Sequence, residues 1–154
     1  MKEFQPENNS LFKITFSYPA KWNWQETLPG DDLEPFVEYP PSERIVSDSV
    51  PISIQVFAPT YPQETMQEWA DAFLSAVGPM LRNDINFQID GNIARWLTVE
   101  YPSISTGEPY FSESIYLLTN DRLYTIDLSH EESEEGRRLL KEFTSLINTI
   151  KVLP

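Results

Sequence analysis

From Phe12 the chain alternates, with Phe12, Ile14 and Phe16 apolar and Lys13, Thr15 and Ser17 polar. A period of two sends successive side chains to opposite faces and predicts a half-buried strand. Pro19 lacks an amide donor and disfavours helix at Tyr18, so that strand is expected to stop at the Tyr-Pro pair. Two tryptophans follow, Trp22 and Trp24. Val50, Ile52, Ile54, Val56 and Ala58 repeat the alternation and predict a second strand from about Pro51. The period then changes. Met66, Trp69, Ala70, Phe73 and Val77 share one helical stripe, with Thr65 and Glu68 reading as a capping box and Gly78-Pro79 as a stop. Strands are predicted at about 84–90, 92–101, 110–119 and 122–129, with hairpin turns at Asp90-Gly91 and at 119–121. A last helix follows from about Ser129, its apolar face formed by Leu139, Leu140, Phe143, Leu146, Ile147 and Ile150. Ser129 and Glu132 read as its capping box, and its early acids suit the positive end of the helix dipole.

Between these elements, residues 1–10 read as a flexible arm and residues 11–154 as one domain. Residues 28–43 hold four prolines, a glycine and several acids, and predict an irregular loop with a short strand at 36–39. Strands joined by hairpins imply a mostly antiparallel sheet. Two amphipathic helices can cover it, which predicts an α+β fold of the α/β/α sandwich type.

Composition narrows the partners. The 154 residues are 40% hydrophobic, enough for a core, and 24 acidic against 11 basic residues give a net charge of −13. Such a charge repels nucleic acid phosphates and anionic lipid. Cysteine is absent, which removes disulfides, thiolate chemistry and cysteine metal sites. No apolar run reaches the roughly 20 residues of a bilayer span, and the polar first decapeptide does not fit a secretory signal.

Chemical motifs are sparse. No phosphate-binding glycine loop, zinc-protease helix, EF-hand or nucleophile elbow occurs. His130, the single histidine, stands beside Glu131, Glu132, Glu134 and Glu135. His130, Glu131 and Glu134 are therefore candidate ligands for a divalent cation, although helical spacing brings them together only in pairs. An exposed helix start is the plainer reading. Asp31, Asp32, Glu34 and Glu38 lack the regular spacing of a calcium loop and read as a solvated or docking surface, held out by nearby prolines. Glu100 and Glu113 are expected on a solvated edge or face of the sheet, and Asp127 opposite the apolar residues of its strand. Trp22 is expected to cap the core, whereas Trp24 is a candidate for a recognition surface shared with the acidic loop. No catalytic residues are assigned.

The order of these pieces resembles the PsbP-like superfamily, including its Mog1-type branch. The resemblance runs through "FKITFSYPAKW" at 12–22, "PISIQVFAP" at 51–59, "TMQEWADAFLSAV" at 65–77, "IDGNIARWLTVEYPS" at 89–103 and "SESIYLLTNDRLYTIDLS" at 112–129. A Tyr-Pro-x-x-Trp turn closes a strand and a Gly-x-x-A step, here Gly91 and Ala94, opens one. The resemblance implies an α/β/α sandwich and a non-enzymatic accessory protein without a cofactor, acting on another protein or a membrane-protein complex outside the cytoplasm. In photosynthetic organisms such proteins associate with photosystem II in the thylakoid lumen; bacterial relatives are exported or lipid-anchored. The Mog1-type branch implies instead a small-GTPase-binding module, cytoplasmic or nuclear. A small-ligand or metal-binding protein is a third reading.

Overall fold

A computed structural model describes residues 1–6, 11–27, 42–102 and 108–154. In chain order the elements are β1 (Lys2–Phe4), β2 (Ile14–Tyr18), β3 (Trp24–Thr27), β4 (Ser42–Ser47), β5 (Ile52–Phe57) and α1 (Pro62–Val77). They continue with a 3-10 turn (Gly78–Met80), β6 (Leu81–Ile89), β7 (Asn92–Tyr101), β8 (Tyr110–Leu118), β9 (Leu123–Glu131), α2 (Glu134–Thr149) and β10 (Lys151–Val152). Seven strands form the main sheet in the order β3-β4-β5-β9-β8-β7-β6, and β1-β2-β10 form a small second sheet. Every pairing is antiparallel.

Alternation along the central strands gives the sheet two apolar faces. One presents Leu97, Tyr116 and Leu123, which pack against Met66 and Ala70 of α1. The other presents Ala94, Ile115, Ile126 and Leu128, which pack against Phe143, Leu146 and Ile147 of α2 and against Ile14 and Phe16 of β2. The architecture is an α/β/α sandwich with a central antiparallel sheet flanked by two helices.

The predicted hairpins are present. Asp90 and Gly91 have φ of 49° and 79°, the paired positive values that a two-residue hairpin turn needs. Thr119 N–H donates to the Arg122 carbonyl at 3.0 Å and closes the β8–β9 turn. The α1 stripe faces inward as expected, but the helix starts three residues before Thr65. Pro62 fills its first turn, and Thr65 donates backbone and side-chain bonds to the Tyr61 carbonyl instead of capping.

Three further differences concern the ends and edges. Lys2–Phe4, within the expected arm, pair with β2, and Phe4 stacks on Phe16 at 4.9 Å. An apolar ring that reaches the core is enough to order a short polar segment. β3 and β4 are additional strands; the short strand expected at 36–39 lies outside the described residues. Finally, 129–131 belong to β9, and α2 starts at Glu134. Ser133 is its cap, accepting a bond from the Gly136 amide at 3.0 Å, so Ser129 and Glu132 form no capping box.

Candidate functional site

The Tyr-Pro segment turns back on itself, with the Trp22 amide donating to the Pro19 carbonyl at 3.0 Å. That turn drives Trp22 into the core, where it is 2% exposed. Trp24 opens β3 opposite Ser47 and is half-buried. Its ring meets Phe4, Phe16, Tyr18 and Trp22 edge-on, at centroid distances of 6.0, 5.5, 5.8 and 6.4 Å. Trp24 is thus the outer member of an aromatic cluster and not a freely standing indole. Both indole N–H groups are buried without a partner among the described residues. Asp31, Asp32, Glu34 and Glu38 lie outside the described residues, as does the rest of their loop.

The structure separates the three candidate metal ligands. His130 and Glu131 are consecutive strand residues and face opposite sides of the sheet, while Glu134 opens α2 beyond the cap. Among the described residues no three histidine or carboxylate side chains come together around a cation-sized space. His130 is instead drawn into a buried knot on the α2 face. Its Nε2 stands 3.4 Å from Glu113 Oε2, and its ring stacks on Phe111 at 5.3 Å. Glu113 Oε1 accepts from Trp96 Nε1 at 3.0 Å and from Thr98 Oγ1 at 2.6 Å.

Glu113 is 3% exposed, so the expected solvated carboxylate is a core residue. Two directed donors, Trp96 and Thr98 on β7, with the His130 ring close by on β9, compensate its desolvation. The knot was hidden in the sequence because its partners lie 15 and 17 residues away, on strands whose register only the sheet supplies. Glu100, by contrast, lies toward the surface and is paired with Arg82.

On the α1 face, the end of the sheet is not covered by the helix. Asp127, Ser129 and Glu131 follow one another there along β9, on the side opposite Ile126 and Leu128. Two clefts run beside them. One, of about 260 Å3, is lined by Val46, Val50, Ser53, Asp127 and their neighbours; the other, of about 300 Å3, by Glu108, Tyr110, His130 and Glu131. Pro51 and Ser129 line both, so the two clefts adjoin along one trough-shaped stretch of surface. Asp127 Oδ1 accepts from Ser114 Oγ at 2.8 Å. Burial pushes the Asp127 carboxyl above the usual carboxylate range, against the opposing pull of that hydroxyl. Tyr110, on the rim, stacks on Tyr101 at 5.2 Å with 20° between the rings. Trp24 packs on the opposite, α2 side of the sheet with Phe4 and Phe16, and lines neither cleft.

No family model and no curated protein match this chain. Solved structures do, at the level of fold. The chain is similar to a solution structure of cyanobacterial PsbP (CyanoP) from Synechocystis, with a TM-score of 0.56, 14% identity, and coverage of 98% of this chain and 91% of that one. It is also similar to LpqN of Mycobacterium tuberculosis, described as involved in cell envelope biogenesis, with a TM-score of 0.53, 12% identity and coverage of 99% and 91%. A crystal structure from Bacteroides thetaiotaomicron gives a TM-score of 0.54 at 15% identity, over 92% of this chain and 46% of that chain, so here the chain spans less than half of its relative's length. The shared property is the PsbP/Mog1-like α/β/α sandwich, at identities that carry fold alone.

Proposed function

We propose that this protein is a non-enzymatic accessory factor that works by protein–protein contact outside the cytoplasm, on a membrane-protein complex of the photosystem II or cell-envelope kind. The observation that carries the reading is the fold match across nearly the whole of CyanoP and of LpqN, a PsbP and a protein named for envelope biogenesis. The disposition of polar groups supports it. The buried Glu113–His130 pair is held by Trp96, Thr98 and Phe111, as a structural knot would be. The proposed contact surface is the area around Trp24, together with Asp31, Asp32, Glu34 and Glu38.

Affinity capture from lightly crosslinked membrane and soluble fractions of the source organism tests this. The bait is the tagged protein, compared with a bait changed at Trp24 and those four acids. Enrichment of photosystem or envelope subunits by the unchanged bait alone is the expected result. Recovery of a small GTPase from the soluble fraction would replace the reading with a Mog1-type module, and recovery of nothing above background would remove the partner reading.

A further inference from the structure

We infer that the trough along Asp127, Ser129 and Glu131 receives basic side chains, arginine or lysine, presented by a protein partner; this rests on the accessory reading above and gives it a chemistry. Size is the first argument. Each cleft, at about 260 and 300 Å3, lies at or below the lower end of small-molecule pockets, and so suits one long side chain better than a whole ligand.

The lining is the second. Carboxylate and hydroxyl oxygens alternate along β9, roughly 7 Å apart at each step of two residues. Among the described residues no lysine or arginine lines either cleft. Several basic residues are paired elsewhere: Arg95 holds Asp84 through two bonds, Arg137 holds Glu132 and Arg138 holds Glu135. Among the described residues no such pair reaches Asp127 or Glu131.

Asp127 is already partly withdrawn from water beside the cleft and carries no counter-charge among the described residues, so an arriving cation adds attraction at a reduced further desolvation cost for this carboxylate. Tyr110 adds a ring face at the rim, held by its stack on Tyr101, where a guanidinium can lie. The net charge of −13 draws such a partner in from a distance. The trough therefore fits a short segment carrying two basic residues, one for each cleft.

The test is an amide-resolved NMR titration of the full chain with acetyl-Arg-Gly-Arg-amide, and with the same peptide carrying citrulline in place of arginine. Saturable shifts at Ser53, Ser129 and Glu131 with the arginine peptide are expected. The citrulline peptide and the Asp127→Asn/Glu131→Gln variant should each weaken binding at least tenfold. Asn keeps the acceptor for Ser114, and an unchanged spectrum away from the trough verifies the variant's fold. Equal response to citrulline would overturn a site based on charge. Shifts spread over Glu64, Glu68 and Asp71 of α1, undiminished in the variant, would overturn the location. In the crosslinked capture, recovery of the same partner by wild type and by this double variant would leave the accessory reading standing and overturn the trough.

Discussion

At Gly136 the first turn of α2 passes so close to the end of β9 that an added Cβ would sit 1.8 Å from the Glu131 carbonyl oxygen. Backbone cannot yield as a flexible side chain would. Gly136→Ala should therefore destabilise the fold by roughly 2–3 kcal/mol, read as a shifted urea midpoint with an unchanged slope. Glu113 is the second sensitive residue. Glu113→Ala strands the Trp96 and Thr98 donors, and a loss of about 3 kcal/mol is expected. Glu113→Gln keeps an acceptor and should lose less; equal losses would mean that volume, not hydrogen bonding, sets the effect. Asp127 has the opposite sign. Its folded pKa lies above its unfolded one, so between the two the folded state binds more protons and stability falls as pH rises. Asp127→Asn should thus raise the melting temperature at pH 7 and lose that advantage as pH falls below the ordinary carboxylate range. A constant offset across pH would contradict it.

Among the elements, the two tryptophans separate cleanly. Trp22→Ala should cost roughly 3–5 kcal/mol, as for any fully buried aromatic, and Trp24→Ala roughly 1–2, because its ring makes edge contacts but stays half-buried. Thermal melts of both variants measure the difference. The elements that were legible in the sequence are those whose signal is local. The Asp90-Gly91 turn and the α1 stripe need no knowledge of the rest of the chain. β4 was not legible because its inward positions are Glu43 and Ile45, and a buried carboxylate breaks the apolar alternation that marks a strand. Glu43 is inside because its Oε2 accepts from the Leu11 amide at 2.7 Å, a contact across 32 residues. The start of α2 was misplaced for a related reason: acids that imitate a helix's first turn belong in part to the end of β9. The trough was hidden too, since Asp127 read as the polar side of a strand while Ser129 and Glu131 read as the start of the last helix, until the pairing of β9 with β5 and β8 puts all three on one strand.

Over the whole molecule, the two chain ends are fixed to the same strand. β1 and β10 pair with opposite edges of β2, and Leu153 N–H donates to the Lys13 carbonyl at 2.7 Å. The Val152 amide also donates to Asp90 Oδ2 at 2.8 Å, tying β10 to the β6–β7 turn. Removing residues 151–154 would cut all of these bonds and bare an edge of β2. Lower thermal stability is expected together with concentration-dependent association in light scattering, since an open edge recruits other chains. An unchanged, monomeric truncation would show that β10 is dispensable.

The register of β1 and β10 has a mechanical consequence. Lys2 lies opposite Tyr18, and Val152 opposite Ile14, so sequence attached before Lys2 leaves at one end of β2 and sequence after Val152 leaves at the other. A pull between the two ends slides β1 and β10 lengthwise along β2. The ladder bonds then carry the load together instead of opening one after another, and the small sheet acts as a clasp under tension.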